Sequence, residues 1–193
     1  KGVFLEGQLL SYLGATLSAG RVLKLTPDQM DSALGLMLMQ TSGSRQVVVY
    51  GDPPAKAIYA AFPNQGGVMS ALLAKEGLQA QCAALEGEAG LFSMYYQGNY
   101  DPDALESGLG TEFHTLRTAF KPWPTSGLVH PFIEAALQLR EEHDLPLDAI
   151  NKVHLMGPPQ PRNWFEPVEE RHSPTSAASA ANSVAFGTAK ALI

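Results

Sequence analysis

Two lysines stand where they could act as fixed cations. Lys56 follows Asp52-Pro53-Pro54, whose prolines stiffen the backbone, and precedes a helical pattern. Lys121 lies between Phe120 and Pro122-Trp123-Pro124, a stiff apolar setting that suits an anchored charge. Two such ammonium groups can stabilise negative charge as it develops on a bound acid. A solvated surface lysine is the other reading that composition allows for Lys56. A lysine could also be a base, but only where burial or a like charge lowers its pKa. Arg45, in Ser44-Arg45-Gln46, could bind a carboxylate bidentately or sit in a structural ion pair. Tyr59 could donate a hydrogen bond or simply pack. Ser126 can hydrogen-bond a carboxylate but is a poor proton shuttle, and a turn serine is the alternative. His172 is a candidate for binding a carboxylate or for capping the helix that follows. His114, His130, His143 and His154 lack ligand-like spacing, so no metal site and no cofactor are expected.

Bulk properties limit what those side chains can serve. Of 193 residues, 45% are hydrophobic and 17% charged, enough to build a core. Lys and Arg never form a run, so no nucleic-acid partner is expected. The net charge of −6 does not attract an anion, so any acidic substrate depends on locally placed cations. The single cysteine, Cys82, excludes an internal disulfide and is expected to be a buried structural thiol. No apolar run is long enough to span a bilayer and no signal peptide opens the chain, so a soluble, cytoplasmic protein without a membrane partner is expected. Lys1-Gly2 at one end and an uncapped helical pattern at the other read as a piece of a longer protein.

The elements that must position the candidates follow from periodicity and punctuation. Residues 8–25 read as a helix, with Leu9, Leu10, Leu13, Leu17 and Val22 among small residues that let neighbours approach closely. Thr26-Pro27-Asp28-Gln29 is a capping box that starts a second helix, with Met30, Ala33, Leu34, Met37 and Leu38 on its apolar side. Val47-Val48-Val49-Tyr50 reads as a short extended piece. Residues 55–76 return to helix, broken or kinked near Pro63 and ended by Gly77. A Gly-rich connection at 85–90 leads to an aromatic turn of helix at 92–96 and a short helix at 101–109. Then the pattern changes: a strand at 116–120, a helix from His130-Pro131 to His143, and a strand at 152–156 imply a small α/β module. A Pro-rich loop at 157–171 precedes a helical stretch. The reading is mainly α with an α+β insertion: a helical domain over 1–113, an α/β module over 114–170, and a return to helix over 171–193.

Several segments, in order, resemble the MmgE/PrpD family. Ser11-Tyr12-Leu13-Gly14-Ala15, Leu34-Gly35 and Gln40 are similar to its middle helices, as are Gly66-Gly67-Val68 and Ala71-Leu72-Leu73-Ala74 after Lys56. Leu85-Glu86-Gly87 with Gly90-Leu91-Phe92 resembles its "LEG…GF" turn, and Phe120-Lys121-Pro122-Trp123-Pro124 its "FKPYP" loop, with His130 in the usual place. The resemblance implies an all-helical domain interrupted by a small α/β lid, a homodimer, and an active site between the two domains. It also implies a cofactor-free lyase, dehydratase or decarboxylase, that removes a proton beside a carboxylate of a small di- or tricarboxylic acid. Within that resemblance Lys56 matches the active-site lysine and Lys121 the lysine of the lid loop. Tyr59 takes the place of a His, and Ser126 that of a His or Cys. Phe4-Leu5-Glu6-Gly7 stands where many relatives carry His-Pro. That departure leaves a divergent isomerase or cyclase, or an inactive structural or regulatory paralogue, as alternatives.

Overall fold

The Thr26 capping box forms as its residues require. The Gln29 N–H donates to the Thr26 hydroxyl (3.3 Å), and the Thr26 N–H donates to the Gln29 side chain (3.0 Å). The computed structural model describes residues 4–48, 54–157 and 162–193. They are mainly helical and divide into two compact units, residues 4–48 with 55–113, and residue 54 with 114–157 and 162–193. Among the described residues no helix is long and apolar enough to cross a membrane.

The first unit is built on α1 (Glu6–Leu23), α2 (Pro27–Leu38) and α3 (Ala61–Lys75). α1 buries Leu9, Tyr12, Thr16 and Gly20, a single helical face. Leu10, Leu17 and Val22 of the helical pattern are exposed, and the close approach expected of the small residues is what occurs. Close approach of backbones, not side-chain size, selects the buried face. A Cβ on Gly67 would stand 2.7 Å from Ala15 Cβ and 2.8 Å from the Thr16 nitrogen, so α1 and α3 touch nearly backbone to backbone. The two run parallel, since Gln8 Nε2 donates to the Tyr59 carbonyl just before α3 (2.9 Å), and Lys75 Nζ donates to the Leu23 carbonyl (2.7 Å). α2 runs back between their ends: Gln29 Nε2 donates to the Lys75 carbonyl (3.4 Å) and Gln40 Nε2 to Ser70 Oγ (3.0 Å).

The expected helix over 55–76 divides into a 3-10 turn, Pro54–Ala57, and α3. Pro63 is buried in the first turn of α3 and does not kink its middle, because a missing N–H costs nothing there. Gly77 (φ +93°) ends α3, with Leu78 N–H on the Leu73 carbonyl and Gly77 N–H on the Ala74 carbonyl, both 3.1 Å. The extended piece expected near Val47 is a 3-10 turn, Arg45–Val48. Val49, Tyr50, residues 51–53 and residues 158–161 of the Pro-rich loop lie outside the described residues.

After α3 the chain crosses α2 at Gly35, where a Cβ would overlap the Ala80 carbonyl oxygen at 1.8 Å. Cys82 is exposed on that crossing, against expectation, because the Ala-rich stretch is a loop laid over α2 and not a buried helix. α4 (Leu91–Tyr96) and α5 (Pro102–Glu106, capped by Asp101) complete the unit. Phe4 meets Tyr95 and Tyr96 edge-on, and Phe92 stacks on Tyr100 at 4.3 Å.

The second unit has α6 (His130–His143), α7 (Val168–His172), α8 (Ala177–Ala181) and α9 (Val184–Leu192). Its core is Val129, Ile133 and Ala136 against Val184 and Ala191, with Trp123, Phe132 and Phe165 packed around them. The strands expected at 116–120 and 152–156 do not form: His114–Arg117 is a 3-10 turn and both remainders are irregular. A lone strand–helix–strand unit must bury its two strands to hold their ladder. Here Leu116 is 88%, Phe120 94% and Met156 89% exposed, so nothing holds them.

Candidate functional site

Each unit carries part of the candidate set. In the first, Arg45 opens the 3-10 turn Arg45–Val48 and is half-buried. Lys56 is half-buried in the turn Pro54–Ala57, whose register is passed on through Ile58 N–H to the Ala55 carbonyl (3.1 Å). Tyr59 follows, half-buried, its carbonyl held by Gln8. The bond fixes the backbone between Lys56 and α3 to the first turn of α1.

In the second unit Lys121 and Ser126 share one loop and are drawn together by it. Lys121 is exposed, and its Nζ donates to the Thr125 carbonyl at 3.1 Å. Its neighbours do not form the apolar shelter the sequence suggested, since Phe120 projects into solvent and Trp123 packs on His130 (5.4 Å, edge-on). The anchor is the loop's own carbonyl. Ser126 is half-buried, its N–H donating to the Ala181 carbonyl (2.8 Å) and its carbonyl accepting from Val129 (2.9 Å) and from the Thr125 hydroxyl (3.3 Å).

Ala181 ends α8, and two residues on, the fully buried Ser183 makes a second tie. Its hydroxyl donates to the Arg171 carbonyl and accepts from Phe186 N–H (2.9 Å), which caps α9. Arg171 is itself buried, with Nε donating to the Glu166 carbonyl (3.3 Å). The short stretch 181–183 therefore holds both the backbone of Ser126 and the backbone entering His172.

His172 ends α7, is exposed, and lines a groove of about 470 Å³ between α9 and the segment 147–155. The groove's walls are largely apolar, with Ile150, Leu155, Phe186 and Leu192 among the side chains that form them. Thr188 also lines it, but its hydroxyl donates to the Val184 carbonyl (2.8 Å). Lys190 Nζ stands 5.9 Å from the centroid of the Phe186 ring. Sequence reading missed these α9 residues because it took everything after Ser173 as one helix. Ser183 three residues before Phe186, ahead of an apolar run, was the available signal for a second helix start.

A family description of the MmgE/PrpD N-terminal domain matches residues 1–103. The chain is 33% identical over 141 residues to cis-aconitate decarboxylase of Aspergillus terreus (strain NIH 2624 / FGSC A1156), covering 70% of this chain and 28% of that protein. It is 28% identical over 155 residues to the cis-aconitate decarboxylase-like protein oryM of Aspergillus oryzae (strain ATCC 42149 / RIB 40), covering 77% and 32% respectively. The chain thus spans no more than about a third of the length of these relatives. No solved structure matches it. The residue pattern, the helical first unit and these matches lead to one assignment: the chain belongs to the MmgE/PrpD family.

Proposed function

We propose that the chain is part of a lyase, a decarboxylase or dehydratase, acting on a small di- or tricarboxylic acid. The observation that carries the reading is the similarity to a cis-aconitate decarboxylase over 70% of the chain, together with Lys56 in a 3-10 turn and Lys121 held by the Thr125 carbonyl. Losing carbon dioxide breaks a carbon–carbon bond and leaves its electron pair on the substrate carbon, which then takes up a proton. Losing water removes a proton beside a carboxylate and expels hydroxide from the next carbon. Both routes pass through a species whose charge spreads onto a carboxylate, where a fixed ammonium acts more strongly than on the ground state.

Lys56 and Lys121 are assigned that role. Lys121 is already oriented by the Thr125 carbonyl, which limits the reorganisation it must undergo when charge develops. Arg45, Tyr59, Ser126 and His172 are assigned to hydrogen-bonding the substrate's carboxylates. The reading needs no cofactor, and it takes the whole protein to be a homodimer.

The test is steady-state turnover of cis-aconitate and citrate by the full-length protein and its Lys56→Met and Lys121→Met variants. Each substitution removes the charge while keeping much of the apolar stem. The expected result is a fall in kcat on the order of 100- to 1,000-fold for each. Turnover unchanged in both variants would show that the lysines do not stabilise the reaction.

A further inference from the structure

We infer that Gln8 is a positioning residue for Lys56, and that the first turn of α1 sets where this lysine stands relative to Arg45. The inference rests on the preceding reading of Lys56 as the group that stabilises developing charge and of Arg45 as a carboxylate-binding group. It adds the part that holds the two in place. Pro63 explains why a side chain is needed for this. A residue at its position ordinarily sends its N–H to the carbonyl four residues back, that of Tyr59, and proline has no N–H to send. Gln8 Nε2 supplies a donor to that carbonyl at 2.9 Å, in a partly buried setting.

From Tyr59 the constraint reaches Lys56 through two overlapping turns. Ala61 N–H donates to the Ile58 carbonyl (2.9 Å), enclosing Tyr59, and Ile58 N–H donates to the Ala55 carbonyl (3.1 Å), enclosing Lys56. Backbone fastened at Tyr59 is thereby fastened at Lys56. The same turn of α1 holds the approach to Arg45. Leu5 N–H donates to the Gly43 carbonyl (2.6 Å), and Phe4 and Ser44 form an antiparallel bridge one residue before Arg45. Gln8 N–H in turn donates to the Leu5 carbonyl (3.0 Å), so one helical turn carries both ties. A fixed ammonium lowers a barrier only from the position the transition state requires, and a small displacement is costly in rate.

The test is steady-state turnover of cis-aconitate by the full-length protein and its Gln8→Met variant, which removes the donor and keeps the length of the side chain. The tie from Leu5 to Gly43 remains in that variant, so kcat is expected to fall about 10- to 100-fold while KM moves by less than about threefold. In a Lys56→Met background the same substitution should lower kcat by no more than about twofold further, because Gln8 acts through Lys56. Lys75→Met cuts the matching tie at the far end of the same helix pair and should leave kcat within about twofold of the parent. Circular dichroism checks that each variant folds, and Gln8→Ser, too short to reach the carbonyl, replaces Gln8→Met if that variant does not. Parental kcat in the Gln8 variant overturns the inference. So does an equal loss with and without Lys56, or a Lys75→Met variant as slow as the Gln8 variant. Parental turnover in Lys56→Met sinks the lysine mechanism itself, whereas a slow Lys56→Met beside an unaffected Gln8 variant sinks this inference alone.

Discussion

Tyr96 sits in an aromatic cluster with Phe4 and Phe92, and its phenol is held above the ordinary value of 10.0, first by burial and then by the nearby Glu6 carboxylate. Both influences disfavour the phenolate in the folded chain. The unfolded chain, free of them, releases this proton at lower pH, so the contribution to stability is whole below about pH 10 and is lost as pH rises from there through the folded value. Urea unfolding of Tyr96→Phe should therefore fall less steeply than that of the unaltered protein above pH 10, with the two slopes alike near neutrality. Local chemistry of this kind was partly legible in the sequence. The capping box at Thr26 and the stop at Gly77 were readable because each is written within a few residues. The exposure of Cys82 was not, since it depends on a loop crossing Gly35 from more than forty residues away in the chain.

Helix pairing in the first unit depends on glycine where it matters and merely tolerates it elsewhere. At Gly67 an added methyl meets Ala15 and the Thr16 backbone, neither of which can swing aside, so α1 and α3 would have to part. Gly67→Ala is expected to destabilise by roughly 1–3 kcal/mol, the cost of overpacking outweighing the better helix propensity. At Gly14, on α1, an added methyl meets nothing within 4 Å. Gly14→Ala should stabilise by up to about 1 kcal/mol, since only propensity changes. Thermal or urea denaturation of the two variants checks both signs together, and a Gly67→Ala protein as stable as its parent would contradict the packing described. The helices themselves were legible from their periodicity. Which flank of α1 is buried was not, because its leucines lie on more than one side of the helix and Leu10 and Leu17 are exposed while Leu9 is buried. The two strands were misread because a strand needs a partner to hold it, and no local pattern reveals whether one is present.

Across the whole chain, α3 is apolar on both sides. Its inner face packs on α1 and α2, while Phe62, Val68, Met69, Leu72 and Leu73 are exposed on the other. A helix hydrophobic all round belongs in the interior of a larger body. If that body is the proposed homodimer, Met69→Glu should shift the full-length protein from dimer to monomer in sedimentation while leaving its circular dichroism unchanged. A dimer that persists would mean that this face is covered from within one polypeptide. Of the candidate site residues, Lys56 lies in a 3-10 turn, while Lys121 lacks the apolar shelter its neighbours suggested and is exposed, its ammonium on the Thr125 carbonyl. The groove at His172 was out of reach of sequence reading, since its walls come from segments some forty residues apart.

The Gln8–Tyr59 bond and the Lys75–Leu23 bond clamp two parallel rods at opposite ends. α3 has 15 residues, so the clamps are separated by roughly 22 Å of helix at 1.5 Å per residue. The turn bearing Lys56 is thereby tethered to the start of α1, while the far ends of α1 and α3 are joined to each other and, through Gln29, to the start of α2.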